Sequence, residues 1–116
     1  MTVEHARQHS PSDLAISAIT CYELMYGVER SSAAWRKKEE GKVRMLLGQL
    51  IVLPFVQETA ARAAAIRVKL EAAGQSIGPM DILIAATGLE HDLLVVTNKL
   101  REFQRVPALR CVNWSV

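Results

Sequence analysis

Apolar residues in this chain fall into short runs separated by stretches with helical spacing. "LAISA" (14–18) has the length of a buried strand, and "CYELMYGVERS" after it has helical spacing, with Leu24 and Val28 four apart. Residues 32–50 predict a second helix whose charged middle is solvated, with Trp35, Val43, Leu46 and Leu47 on its apolar side. "IVLPF" (51–55) predicts a strand, and Pro54 in it predicts a sheet edge or a strand end. The alanine-rich segment 57–74 predicts a helix with Ala60, Ala64, Val68 and Ala72 along one face, stopped by Gly74. After the loop "QSIGP", the segment "MDILIAATGLEHD" predicts a helix with Pro79 near its first turn. "LLVVT" (93–97) follows as a strand, "NKLREFQRV" as a loop with one helical turn, and "LRCVNW" (109–114) as a last strand. The first nine residues, "MTVEHARQH", read as the tail of a helix, and "SPSD" breaks the chain after them.

Strands alternating with helices predict a three-layer α/β/α domain with a mostly parallel sheet. Such sheets are covered on both faces, which explains why "LLVV" is apolar without alternation. At 116 residues the chain has the length of one domain. Half of its residues are hydrophobic and 22% are charged, which suits a globular protein. The net charge of +2 is too small to argue for nucleic acid by itself. Cys21 and Cys111 stand far apart with no metal spacing, so free thiols and a reducing, cytoplasmic setting are expected. No apolar run approaches the ~20 residues that cross a bilayer, and the polar N-terminus has no secretory pattern.

In an open parallel sheet, ligands bind beyond the carboxyl ends of the strands. Glu23, expected in the first turn of the helix after "LAISA", falls on that rim. So does Asp81, in the first turn of the helix that leads into "LLVVT". The segment leaving "LLVVT" brings Asn98 and Glu102. Carboxylates converging from separate segments repel each other unless a divalent cation neutralises them. Magnesium suits such a rim, because it takes a few carboxylates and keeps waters for a phosphate substrate. Each residue also has a purely structural explanation. Thr20 and Glu23 have the spacing of a capping box, and Asp81 would complement the helix dipole by ~0.3–1 kcal/mol. Asn98 reads equally as a turn residue and Glu102 as a surface charge. His5, His9 and His91 share no ligand spacing and are expected in solvent.

Three motifs carry further information: "AIT-x-x-EL-x-YG", "IGPMD" and "VTN-x-x-REF-x-RVP-x-L". Together, and in this order from residue 14 to residue 114, they resemble the PIN-domain ribonucleases of VapC-type toxins. The resemblance implies a magnesium-dependent endoribonuclease of a toxin–antitoxin module, cutting RNA, silenced by a cognate antitoxin and forming a homodimer. It implies metal-site roles for Glu23 and Asp81. It further implies a polar or acidic contribution from "TNKLREF", through Asn98 or Glu102, with Thr97 lining the rim. Lys99 stands where such toxins often carry Asn or Asp, and an inward cation there would weaken metal binding. Members of the family ordinarily begin with an apolar strand ending in "LDTN", whose aspartate is a metal ligand. Met1 here corresponds to the helix after that strand, so a first strand and its aspartate are expected to be missing; neither Glu4 nor Asp13 ends a strand. Strands on either side of that position would then carry unpaired backbone groups. Two functions follow from the same residues: an RNA-cleaving toxin, or a non-catalytic truncated remnant that only binds its antitoxin.

Overall fold

The computed structural model describes residues 3–5 and 14–113. In chain order these form β1 (Val3–His5), β2 (Leu14–Ser17), α1 (Ala18–Glu29), α2 (Ala33–Leu47), β3 (Ile51–Leu53) and α3 (Gln57–Ala72). They continue with α4 (Pro79–Glu90), β4 (Leu94–Thr97), α5 (Leu100–Phe103) and β5 (Cys111–Asn113). The strands make a single sheet in the order β3-β2-β1-β4-β5. β2 pairs in parallel with β3, and β4 with β5, while β1 runs antiparallel to both β2 and β4. Four strands therefore point one way. The expected α/β class with a mostly parallel sheet is the one observed. Pro54 directly follows β3, an edge strand, as its missing N–H requires.

The helix expected over the first nine residues is corrected at Val3–His5, which are extended. Their backbone lies opposite Ala15 and Leu14 on one side and Val96, Val95 and Leu94 on the other. Two parallel strands separated by one strand's width present rows of N–H and C=O groups. An extended segment between them satisfies both rows, whereas a helix would satisfy neither. The position at which a strand was expected to be missing is taken by β1. The "SPSD" break, His9, Asp13 and Trp114 lie outside the described residues.

Two helical faces also differ from expectation. In α3 the buried residues are Thr59, Ala63, Ile66 and Leu70, while Ala60, Ala64 and Ala72 face solvent and Val68 is 65% exposed. Alanine recurs on several stripes of this helix, and the stripe with the bulkier Ile and Leu wins because it removes more apolar area from water. In α2 no residue is fully buried: Val43, Leu46 and Leu47 are half-covered against α1, but Trp35 is 57% exposed.

The core lies where α3 and α4 pack against each other and on the sheet. Ile66, Leu70, Ile82, Ile84, Ala85, Val95, Phe103 and Val106 form one cluster. Helix α4 is buried on nearly every side, consistent with its apolar run. Gly88 lets it approach the sheet: a β-carbon there would sit 3.0 Å from Val95 Cγ2 and 3.4 Å from Leu109 Cδ1.

Helix α1 starts at Ser17, the last residue of β2. Its hydroxyl accepts from the Thr20 amide at 2.9 Å and donates to Thr20 Oγ1 at 3.1 Å, and both residues are buried. The cap is thus Ser17, and the expected Thr20–Glu23 capping box is corrected. Ser17→Ala removes a cap and strands a buried hydroxyl. The expected loss is about 1–2 kcal/mol of stability, read as a lower midpoint in urea.

Candidate active site

Strand direction decides which side chains share a rim. Ser17 ends β2 and Thr97 ends β4, and both strands point the same way, so their carboxyl ends lie on one edge. Helix α1 departs from that edge. Helix α4, running back before β4, begins there. Helices α1 and α4 pack against each other, and α4 touches both β2 and β4.

Asp81 is the third residue of α4, behind Gly78 at the N-cap and Pro79 at N1. Its carboxylate is only 11% exposed, although it stands at the helix mouth. A β-carbon on Gly78 would come within 3.3 Å of Asp81 Oδ2, so the residue at the cap leaves that oxygen its space. The apolar face formed by Ile82, Ile84, Ala85 and Ala86 is locked in the core. That packing holds the first turn, and with it the carboxylate, in place.

The chain leaving β4 is also fixed. Thr97 is fully buried, and its hydroxyl accepts from the Lys99 amide at 2.9 Å, which closes a turn. One turn of helix follows, pinned by Phe103, which is fully buried. Arg105 donates to the Ser76 carbonyl at 2.9 Å and ties this segment to the loop before α4. From this turn the Lys99 ammonium reaches across to Asp81 Oδ2 at 3.5 Å.

The four predicted site residues meet different fates. Asp81 lies in the first turn of α4, as expected. Glu23 lies one turn deeper in α1 than expected, because that helix starts at Ala18, and it is exposed. Asn98 is exposed in the turn after β4, and Glu102 is half-buried in α5. Among the described residues, no three His, Cys, Asp or Glu side chains gather closely enough to hold a metal between them. His91, at the far end of α4, pairs at 3.7 Å with Glu90 and takes no part in the rim. Ser17 was the residue missed, and the S-x-x-T spacing at a strand end was its available signal.

The donor chemistry suits a divalent ion. Among the described residues, no closed cage of protein ligands is formed. Magnesium, however, needs only one or two carboxylates and completes its shell with water and phosphate oxygens. Asp81 supplies a fixed oxygen donor, and the Lys99 ammonium within 3.5 Å shows that the position accepts a cation; Glu23 is exposed on α1.

Elsewhere on the surface, α1 exposes Tyr22, Met25 and Tyr26, and α2 exposes Trp35 and Met45. A groove of about 340 Å³ between these helices is lined by Met25, Val28, Val43 and Leu47, with Glu29, Glu40 and Arg44 at its margin. Cys21 and Cys111 are free thiols, and burial pushes that of Cys111 above its usual range. No helix among the described residues is long and apolar enough to cross a membrane.

Comparison with known proteins agrees with this geometry. The model of the PIN domain matches residues 2–109. The tRNA(fMet)-specific endonuclease VapC of Salmonella typhimurium is 38% identical over 114 residues, covering 96% of this chain and 85% of that protein. Ribonuclease VapC2 of Haemophilus influenzae is 38% identical over 101 residues, covering 87% and 75%. Among solved structures, VapBC2 from Rickettsia felis, bound to a DNA fragment from its promoter, superposes with a TM-score of 0.80 at 34% identity, covering 86% of this chain and 74% of that one. FitAcB from Neisseria gonorrhoeae superposes with a TM-score of 0.84 at 28% identity, covering 91% and 78%. By its motifs, its strand order and these relatives, the chain belongs to the PIN-domain family, and within it to the VapC-type toxins.

Proposed function

We propose that this chain is a magnesium-dependent endoribonuclease acting in the cytoplasm as the toxin of a toxin–antitoxin module. One observation carries the reading: a carboxylate, Asp81, is buried at the carboxyl edge of a parallel sheet with a cation drawn against it. The names of the relatives, ribonucleases and an endonuclease acting on transfer RNA, support RNA as the substrate class. The free thiols fit a reducing compartment.

In this reading Asp81 and Glu23 hold the magnesium ion, and Asn98 and Glu102 complete the polar set. When bound, magnesium polarises a phosphoryl oxygen and offsets the charge that develops there. The protein's remaining task is positioning. The α4 core packing keeps Asp81 fixed, the Thr97–Lys99 turn sets the opposite wall, and Lys99 and Arg101 offer positive charge to flanking phosphates. Arg105 stabilises the wall through Ser76 and contributes charge second. Hydrolysis breaks one phosphorus–oxygen ester bond and adds water across it. Single-stranded or looped RNA, whose backbone is exposed, is the expected form of substrate.

The partner in this proposal is a cognate antitoxin. The exposed Tyr22, Met25, Tyr26 and Trp35, beside the α1–α2 groove, support an apolar docking face of the kind that partners cover. A homodimer belongs to the same reading, and the exposed Ile51 and Val52 on the edge strand β3 are surface available to a second copy.

A second reading, a remnant that binds antitoxin without cutting RNA, draws support from the lack of a three-acid cluster among the described residues. Incubating the purified chain with structured RNA, in magnesium and then in excess chelator, separates the two. Cleavage that appears with magnesium and stops with chelator is expected. Antitoxin capture without cleavage would favour the second reading, and cleavage indifferent to chelator would overturn the metal assignment.

A further inference from the structure

The contact between Lys99 and Asp81 has a consequence for how this site takes up metal. The Asp81 side chain and the Lys99 backbone are each held by their own surroundings. Asp81 is held in the first turn of the buried helix α4, with Gly78 leaving space at Oδ2. The Lys99 backbone is held at the start of α5 by the hydrogen bond its amide donates to Thr97 Oγ1, and Phe103 anchors that turn in the core. The Lys99 backbone is thus placed so that its ammonium reaches the buried carboxylate of Asp81.

A carboxylate oxygen at 3.5 Å from an ammonium and a divalent ion on the same carboxylate are competing arrangements. The two cations repel at such separations, and among the described residues no cluster of three acids gathers at Asp81 to offset that repulsion. We propose that Lys99 is an internal counter-cation that competes with the divalent ion for Asp81 and lowers the metal affinity of this site. Lys99 acts through Asp81 and is a positioning residue. The chain without metal keeps its buried carboxylate paired, and metal uptake requires the ammonium to swing out to solvent. Its side chain is 54% exposed, so the path is open.

This inference rests on the metal-site reading of Asp81, and its test reads metal binding without RNA. Magnesium chloride and, separately, manganese chloride are titrated by calorimetry, at constant ionic strength, into the full chain and its variants. Lys99→Gln is expected to bind about fivefold tighter than the parent, the scale of a half-exposed ion pair. Lys99→Glu, which places a further carboxylate at the rim, is expected to bind tighter still. Lys99→Arg keeps the charge and is expected to match the parent, which a merely structural role for the lysine stem would not distinguish. Metal-induced shifts in melting temperature should follow the same order, and they provide a second measurement on any variant that folds poorly. Equal or weaker binding by Lys99→Gln, with binding lost in Asp81→Asn, overturns the role of Lys99 and leaves the metal site standing. No binding to the parent or to any Lys99 variant overturns both.

Discussion

Asp81→Asn is expected to reduce magnesium-dependent RNA cleavage by about 10³-fold or more while the protein stays folded. The substitution is nearly isosteric and removes the charge of Asp81, which is buried at the rim. A metal ligand of this kind contributes several kcal/mol to the transition state, and each ~1.4 kcal/mol is a factor of ten in rate. The structural cost is small by comparison. The change loses the pair with half-exposed Lys99, worth ~1 kcal/mol at most, and a helix-dipole contribution of ~0.3–1 kcal/mol. Rates and urea midpoints measured on the same preparations separate the two effects. A variant that retains cleavage within tenfold of the parent sinks the assignment of Asp81, and one that is inactive because it has unfolded shows itself in the urea curve.

Phe103→Ala is expected to cost about 3–5 kcal/mol of stability. Its ring is fully buried, in one cluster with Val106 and residues of α4 and β4. Set against a typical total of ~5–15 kcal/mol, such a loss leaves a marginal fold. The effect reaches the site as well, because Phe103 pins the single turn of helix that carries Lys99 and Glu102. Denaturant unfolding gives the first quantity directly. Cleavage measured well below the unfolding midpoint gives the second, and a loss under ~1 kcal/mol would mean that α5 is held by something other than this ring.

One short stretch of sequence carries several separate roles. In "TNKLREF", Phe103 supplies anchorage, Thr97 closes the turn, and Lys99 faces Asp81. Charge at the rim is therefore set by residues whose positions depend on an apolar neighbour in the same turn.

Much of the fold was legible in the chain because its signals are local. Pro79 at a helix start, the apolar run after Asp81 and the unbroken "LLVV" each determine an element within a few residues of themselves. Asp81 was legible for the same reason: a first-turn carboxylate before a buried helix is a local pattern. What the chain could not decide by itself are choices between equivalent local options. In α3 several alanine stripes compete, and contact with α4 selected the one carrying Ile66 and Leu70. At the start of α1, Ser17 and Thr20 both have capping chemistry, and burial of both hydroxyls at the end of β2 settled on Ser17. The extended backbone of Val3–His5 exists because β2 and β4 each offer it an unpaired row, a condition set by residues far along the chain. The sequence alone thus determined the elements, their order and the acidic residue at the rim. Tertiary structure decided which faces are buried, what fills the centre of the sheet and which cation stands against Asp81, because each depends on a partner distant in sequence.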